Sequence, residues 1–253
     1  MNDSHLSKIP QITLLFWIMK ICATTFGETG GDLLAQTLNV GYGVSSLILI
    51  GFFFVTLLFQ FFSKKYNPLI YWLVIVATST AGTTMSDYMD RTLGLGYMTG
   101  SLILVGILIA VLTFWRFTVG SLSVENIKTF RVESLYWTAI LFSNTLGTAL
   151  GDFLADDSGL GFGGGAALIT GLLLLVILAH FYTKISKVIL FWIAFVLTRP
   201  FGATFGDLLT KSGEKGGYDF GTISSSLILA AILVVLIIYS TAKENRVNNL
   251  ATA

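Results

Sequence analysis

The chain contains four copies of one motif that align without a gap. The copies are FWIMKICATTFGETGGD from Phe16, YWLVIVATSTAGTTMSD from Tyr71, YWTAILFSNTLGTALGD from Tyr136 and FWIAFVLTRPFGATFGD from Phe191. In each copy an aromatic residue precedes a tryptophan, a glycine follows ten residues after the tryptophan, and an aspartate follows five residues after the glycine. Repetition at a fixed spacing is typical of folds built from equivalent stacked units. We therefore expect four similar elements in similar surroundings.

A second block follows the aspartate in the first three copies. It reads VGYG from position 40, LGYM from 95 and LGFG from 160, and it leads into a further run of apolar residues. The fourth copy differs, because the insertion KSGEKGGYDFG begins at Lys211. The sequence therefore predicts two helices per repeat, joined by a glycine-rich turn, and a different turn in the fourth repeat.

The apolar runs are long enough to cross a lipid bilayer, for which about 20 residues suffice. Only 11% of the residues are charged and 54% are hydrophobic, against roughly 25% charged in soluble domains. The runs are continuously apolar, whereas the strands of a membrane barrel alternate. The sequence predicts an all-α integral membrane protein with one membrane domain over residues 1–253. Eight transmembrane helices are expected at 12–36, 44–62, 69–92, 98–117, 134–155, 164–183, 188–209 and 222–241, giving repeats of about 12–62, 69–117, 134–183 and 188–241.

The basic residues predict the orientation of these spans, because short loops rich in Lys and Arg stay in the cytoplasm. Only Arg91, Lys211 and Lys215 lie between the two helices of one repeat. The termini and the connections between repeats carry Lys8, Lys64, Lys65, Arg116, Lys128, Arg131, Lys184, Lys187, Lys243 and Arg246. Both termini are therefore predicted to be cytoplasmic. The net charge of +1 gives no indication of nucleic acid binding.

The four copies resemble a family of bacterial membrane proteins. Its members consist of four tandem repeats, each with two transmembrane segments and a characteristic tryptophan, long catalogued as a repeat of unknown function. Here the resemblance covers residues 12–241 and includes the equivalent Trp17, Trp72, Trp137 and Trp192. It implies a multi-pass protein of the bacterial inner (cytoplasmic) membrane. It also suggests that the protein moves metal cations or gives resistance to them.

The first helix of each repeat carries one polar face. Successive residues of an α-helix are rotated by about 100°, so the residues seven, eleven and fifteen positions after the tryptophan fall within about 80° of one another. Lipid cannot hydrogen-bond this face, which must therefore contact protein or water. Its polar members are Thr24, Glu28 and Asp32; Ser79, Thr83 and Asp87; Asn144, Thr148 and Asp152; and Arg199 and Asp207.

The four aspartates are expected at one depth in the membrane. Two spans return the chain to its starting side, so the repeats are related by a pseudo-fourfold or pseudo-twofold axis along the membrane normal. If the first helices surround that axis, Asp32, Asp87, Asp152 and Asp207 converge as a ring, and such carboxylates either hold protons or bind a cation. The alternatives are solvated interfacial carboxylates, a structural clasp to the next repeat, or first helices that pack outside the second ones.

Two further basic residues and the tryptophans complete the candidate set. Arg199 lies deep in the seventh helix and needs an acidic partner, for which Glu28 or one of the four aspartates is expected. The pair is either a static clasp or an ion-pair switch. Lys20 is expected to snorkel to the cytoplasmic face. The tryptophans are interpreted as interfacial anchors and packing elements, with gating as the alternative.

These features favour a transporter or exporter of cations. Carboxylate and hydroxyl oxygens are hard ligands, which prefer Mn²⁺, Mg²⁺ or Ca²⁺ to copper or zinc. A divalent metal such as manganese, exchanged for protons, is therefore expected, with Na⁺ or H⁺ as alternatives. The single cysteine, Cys22, provides no thiolate metal site.

The other functional classes are a cation channel and a structural or sensory membrane protein. An enzyme is not expected, because the sequence contains neither an HExxH motif nor a recognisable nucleophile with its base. No covalent cofactor is expected. The expected partners are the lipid bilayer and a metal cation or proton, with no nucleic acid, and a homo-oligomer is left open.

Overall fold

The computed structural model describes residues 8–124, 127 and 129–252, with side chains described as far as residue 246; Lys128 lies outside this part. The described residues form eight α-helices and no β-strand. The helices are α1 (Leu14–Asp32), α2 (Tyr42–Phe62), α3 (Pro68–Asp87), α4 (Tyr97–Val119), α5 (Phe130–Asp152), α6 (Gly161–Tyr182), α7 (Lys187–Thr210) and α8 (Thr222–Thr252). The all-α prediction is confirmed, and each predicted span overlaps one helix.

Different local signals start the odd-numbered and even-numbered helices. Three odd-numbered helices begin with a side chain that accepts a hydrogen bond from a backbone N–H three residues later, namely Thr13, Asn67 and Thr129. The even-numbered helices begin at or directly after a glycine with positive φ, a conformation that costs other L-residues about 1–3 kcal/mol. These glycines are Gly41 (φ 81°), Gly96 (φ 73°), Gly161 (φ 67°) and Gly221 (φ 72°). The repeated glycine after each aspartate is thus required by the backbone of the turn.

The odd-numbered helices form the centre of the molecule. They pack in a closed cycle in which α1 contacts α3, α3 contacts α5, α5 contacts α7 and α7 contacts α1. Each even-numbered helix lies against the odd-numbered helix of the following repeat: α2 on α3, α4 on α5, α6 on α7, and α8 on α1. The alternative in which the first helices pack outside the second ones is therefore wrong.

The repeated glycine ten residues after each tryptophan lies where neighbouring central helices approach closely. A Cβ atom on Gly27 would lie 2.4 Å from the Ser79 Cβ, which real Cβ atoms do not approach. The same contact recurs around the cycle, with Gly82 against Asn144, Gly147 against Arg199 and Gly202 against Thr24. Small residues of this kind let helix backbones approach closely in membranes. The motif glycine is therefore a packing residue at all four interfaces.

Aromatic side chains form a second closed cycle at the end of the helices opposite the aspartates. The aromatic residue of each repeat packs on the tryptophan of the next. The centroid distances are 5.7 Å for Phe16–Trp72, 5.5 Å for Tyr71–Trp137, 6.5 Å for Tyr136–Trp192 and 5.8 Å for Phe191–Trp17. We call these eight residues the aromatic collar. The hydroxyls of Tyr71 and Tyr136 are also 2.7 Å apart.

The aromatic collar corrects one expectation about the tryptophans. Trp72 and Trp137 are each only 1% exposed and Trp192 is 5% exposed, so they are not anchors at the lipid headgroups. They pack inside the bundle because each tryptophan meets the aromatic residue of the preceding repeat. Only Trp17 is partly exposed. The packing role is therefore the correct part of the expectation.

Both ends of the described chain lie at the aromatic collar. Lys8 forms an ion pair with the buried Glu133 near the start of α5, with Nζ and Oε2 2.8 Å apart. A small cavity beside Trp72 is lined both by Pro10 and by Lys243 of α8. The N-terminal segment and the end of α8 are therefore on the same side of the bundle.

Six of the described helices are long and apolar enough to cross a membrane, judged by length and composition: α2, α3, α4, α6, α7 and α8. The outer helices carry exposed apolar side chains, such as Leu47 (74% exposed) and Leu102 (65%), as a lipid-facing surface requires. The central helices α1 and α5 are more polar. They include buried charged residues such as Lys20 and Glu133, which neighbouring helices cover.

Candidate functional site

The four repeat aspartates are buried at one end of the central bundle. Asp32, Asp87 and Asp152 are the last residues of α1, α3 and α5, and Asp207 lies near the end of α7. Their exposures are 2%, 1%, 2% and 3%, respectively. Solvated carboxylates at an interface would be exposed, so that alternative is wrong for all four.

The backbone changes its hydrogen-bond register directly after three of these aspartates. A five-residue π-helical turn follows each one, over Leu33–Thr37, Tyr88–Thr92 and Phe153–Asp157. The fourth repeat has no such turn, because α7 continues to Thr210 and a short 3-10 helix follows at Gly213–Lys215. Single π-helical turns often occur at functional sites. The sequence carries no local signal for them, and they were not predicted.

Arg91 joins two of the aspartates. Its Nε lies 2.9 Å from Asp87 Oδ1, and its Nη2 lies 3.2 Å from Asp152 Oδ2. The guanidinium also lies near the rings of Tyr42 and Tyr97, at 5.9 and 5.5 Å from their centroids. We call Arg91, Asp87 and Asp152 the arginine clamp. It connects repeats 2 and 3.

Lys211 joins the other two aspartates. Its Nζ lies 2.7 Å from Asp32 Oδ2 and 3.1 Å from Asp207 Oδ1. Partial burial disfavours the ammonium form, but the carboxylates of Asp207 and Asp32 outweigh it and hold the pKa of Lys211 above its usual range. Gln36 donates a hydrogen bond to the other oxygen of Asp32. We call Lys211, Asp32 and Asp207 the lysine clamp, and it connects repeats 4 and 1.

The aspartates thus form two bridged pairs, where the sequence predicted one ring of four. Arg91 and Lys211 served only as orientation signals in the sequence. Each lies four residues after its own aspartate, which is the spacing at which helical side chains meet. From that spacing, the ion pair within one repeat could have been predicted for each clamp. Gln36 and Asp156 occupy the equivalent positions in the other repeats, so the clamps follow twofold and not fourfold symmetry.

Arg199 lies one layer deeper and contacts every central helix. It is fully buried on α7, and its Nη1 and Nη2 each lie 3.0 Å from Glu28 Oε2 on α1. Nη2 also donates hydrogen bonds to the hydroxyls of Thr83 on α3 and Thr148 on α5. Glu28 is therefore the acidic partner, as expected. A single guanidinium links the four repeats at the centre of the bundle.

The remaining members of the polar face are hydrogen-bonded within the protein. The Asn144 amide donates to Thr78 Oγ1 at 3.0 Å and to Ser79 Oγ at 3.3 Å. The Thr24 hydroxyl donates to the Thr198 carbonyl oxygen at 3.1 Å. Because these contacts run between helices, this part of the polar face fixes the register of the bundle.

Lys20 is fully buried, so the expectation that it snorkels to the cytoplasmic face is wrong. Its Nζ lies 3.3 Å from the Asn144 amide oxygen and 4.1 Å from the centroid of the Phe195 ring. Lys20 falls three positions after Trp17, on the same side of α1 as Thr24. This rotational position directs it into the bundle, where no described carboxylate pairs with it.

We expect Lys20→Met to stabilise the protein by roughly 1–4 kcal/mol, the range seen when a buried ion pair is replaced by apolar residues of similar volume, because the substitution removes a buried ammonium that no described carboxylate pairs with. The hydrogen bond and the ring contact offset only part of the desolvation of the ammonium, because a buried cation–π contact contributes about 2 kcal/mol. The measurement is the melting temperature in detergent. Lys187→Met, at an exposed position, is the control and should have no clear effect. A lower melting temperature for Lys20→Met would contradict the prediction.

Three of the buried carboxylates lie close enough to share one ion. One oxygen from each of Glu28, Asp32 and Asp207 lies within 4.8 Å of the others, and no other such group occurs among the described residues. Glu28 and the four aspartates carry five formal negative charges against the three positive charges of Arg91, Arg199 and Lys211. Counted formally, one negative charge is therefore left unbalanced in each clamp. Oxygen ligands of this kind suit hard cations.

Comparison with known proteins agrees with the repeat organisation. A family model described as a Repeat of Unknown Function (DUF347) matches residues 15–66, 70–121, 135–186 and 190–245. No curated protein and no solved structure matches the chain.

Proposed function

Since the chain belongs to the family defined by this repeat of unknown function (DUF347), membership names no activity, and we propose from the site that the protein transports a hard cation. The cargo is a divalent metal such as Mn²⁺, and protons move in exchange. The observation that carries the proposal is the buried Glu28, Asp32 and Asp207 group, whose three formal negative charges face only the two positive charges of Arg199 and Lys211.

All eight helices cross the membrane in this proposal. The outer helices and parts of α3 and α7 shield the more polar α1 and α5 from lipid, so the central helices do not need to be uniformly apolar. The pseudo-symmetry axis of the repeats runs along the membrane normal. Both termini are cytoplasmic, in the inner membrane of a bacterium, and the aspartates face the opposite side.

The distribution of exposed charge supports this orientation. Lys64, Lys65, Lys184 and Lys187 are exposed at the end that carries the aromatic collar, as expected for a cytoplasmic surface. At the aspartate end, Arg91 and Lys211 are used in the two clamps. Lys215 is the remaining basic residue of the connections at that end.

The aromatic collar favours a transporter over a channel. Its rings pack on one another around the full cycle of central helices, and in this proposal they close the route from the carboxylates to the cytoplasmic side. A channel needs a continuous path with weak sites. A transporter needs a site that opens to one side at a time, which a packed collar on one side and charged clamps on the other can provide.

We expect the double substitution Asp32→Asn and Asp207→Asn to lower Mn²⁺ uptake into proteoliposomes by more than about tenfold, since loss of even the outer partners of metal ligands costs about 10- to 100-fold. The change removes two carboxylates of the site with little change in side-chain volume. Asp157→Asn is the matched control, because Asp157 is an exposed aspartate after α5. Its uptake rate should equal that of the unchanged protein.

The same assay separates the alternatives. Uptake that the double substitution leaves unchanged would refute the proposed site. Uptake that neither saturates nor depends on a proton gradient would indicate a channel. If the unchanged protein shows no flux of any cation and no metal-dependent rise in melting temperature, the clamps are structural and the protein is a scaffold or sensor.

A further inference from the structure

The two clamps have the same layout but different basic residues. The guanidinium of Arg91 is planar, always charged and able to bind two carboxylates at once. It is fixed further by the rings of Tyr42 and Tyr97 and by its place in the π-helical turn Tyr88–Thr92. No third carboxylate joins Asp87 and Asp152 in a metal-sized group within the described part of the chain. The arginine clamp is therefore a permanent connection between repeats 2 and 3.

The backbone of Lys211 is held in a loop that folds back on the end of α7. The Asp219 N–H donates to the Lys211 carbonyl oxygen at 3.0 Å, and the Tyr218 N–H donates to that of Leu208 at 2.7 Å. A Cβ on Gly217 would lie 2.0 Å from the Lys211 carbonyl oxygen, so only glycine fits there. The inserted segment of the fourth repeat therefore presents Lys211 at one fixed point.

The Lys211 ammonium has fewer kinds of partner than the Arg91 guanidinium, since it contacts its two carboxylates but no described aromatic ring. A lysine carries a compact charge on a flexible four-carbon chain, and the Lys211 side chain is 18% exposed. In this form its ammonium lies against Asp32 and Asp207, two of the three carboxylates that form the proposed cation site.

We propose that Lys211 is a tethered competitor of the transported cation: its ammonium occupies the Asp32 and Asp207 carboxylates when the site is empty and leaves when a divalent cation binds. The two states exclude each other, because both cations need the same carboxylate oxygens. This inference rests on the proposed function. It assigns cation binding to the lysine clamp and a permanent structural connection to the arginine clamp.

Such a competitor has two consequences for transport. It lowers the apparent affinity for the cation, because part of the binding free energy is used to displace the ammonium. It also leaves the empty site with one unbalanced negative charge instead of two, so the empty protein can change conformation without two bare carboxylates in a low dielectric. The insertion that distinguishes the fourth repeat then has a function, since it positions the competitor.

The test is a titration of melting temperature against Mn²⁺ for the full-length protein and for Lys211→Gln. The substitution removes the competing charge and should lower the half-saturating Mn²⁺ concentration by about tenfold or more, where tenfold corresponds to 1.4 kcal/mol. Lys215→Gln changes an exposed lysine of the same loop and should leave the half-saturating concentration unchanged. Lys211→Arg, a permanently charged and bidentate competitor, should raise it.

The outcomes for this inference and for the proposed function are distinct. A Mn²⁺-dependent rise in the unchanged protein, with the same or weaker binding in Lys211→Gln, would overturn the competitor role and leave the transport proposal standing. If Lys211→Gln does not fold, the titration of Lys211→Arg tests the competitor role. An unchanged or lower half-saturating Mn²⁺ concentration in Lys211→Arg would contradict the inference. No Mn²⁺-dependent shift in the unchanged protein or any variant would overturn both.

Discussion

Replacing Arg199 by methionine should lower the free energy of unfolding by about 3–5 kcal/mol, the usual cost of removing one partner of a buried ion pair. The substitution leaves Glu28 without its guanidinium, and Glu28 is only 3% exposed. It also removes the hydrogen bonds that Arg199 donates to the hydroxyls of Thr83 and Thr148. All three losses fall where Arg199 of α7 contacts the other three central helices.

A double-substitution cycle separates the ion pair from simple loss of packing. Glu28→Gln with Arg199→Met removes both charges, so the double variant should be more stable than Arg199→Met alone. Arg116→Met, at an exposed position on α4, should change stability by less than about 0.5 kcal/mol. The readout is unfolding by denaturant in detergent. If the double variant is no more stable than Arg199→Met, the two residues stabilise the protein through packing and not through the interaction of their charges.

Gly27→Ala should destabilise the protein by about 3 kcal/mol, at the upper end of the usual cost of overpacking. The new Cβ would lie 2.4 Å from the Ser79 Cβ and 3.0 Å from the Ser79 carbonyl carbon. A flexible side chain cannot relieve this contact, because backbone atoms take part in it. The helices α1 and α3 must therefore separate, and this shift also disturbs the neighbouring contacts of the cycle.

A matched control is available on an outer helix. Gly106 of α4 has no atom within 4 Å of the position that its Cβ would occupy, so Gly106→Ala should be neutral, or stabilising by up to about 1 kcal/mol through helix propensity. Combining Gly27→Ala with Ser79→Gly should recover part of the loss, since one of the colliding atoms is removed. Equal melting temperatures for Gly27→Ala and Gly106→Ala would contradict the close-packed interface.

The repeats and the helices could be predicted from the sequence because both depend on periodicity. The fixed spacing from tryptophan to aspartate indicates four equivalent helices, and the rotation of 100° per residue places Thr24, Glu28 and Asp32 on one face. An acidic partner for Arg199, either Glu28 or one of the four aspartates, could be predicted from the cost of an unpaired charge in the membrane, and the structure shows that the partner is Glu28. The family resemblance is confirmed by the family match over all four repeats.

The details of the site depend on information that the periodicity does not contain. The burial of Lys20 agrees with its rotation relative to Trp17, which places it on the polar face, whereas the expectation of snorkelling considers only the length of the side chain. The two clamps required the i,i+4 spacing of Asp87 with Arg91 to be considered together with contacts between repeats. The π-helical turns depend on backbone register, and no residue pattern in this sequence specifies them.

The placement of each outer helix on the next repeat has a consequence for biogenesis. No two-helix unit contains its own complete interface, because α2 covers α3 and the last outer helix, α8, covers α1. During synthesis, α8 is made last, so the surface of α1 that α8 covers has no partner until then. We therefore expect that surface to be covered by the insertion machinery or by lipid in the meantime. For the same reason, two separately expressed halves of two repeats each would expose matching flanks, and they should be able to assemble into the complete ring as partners.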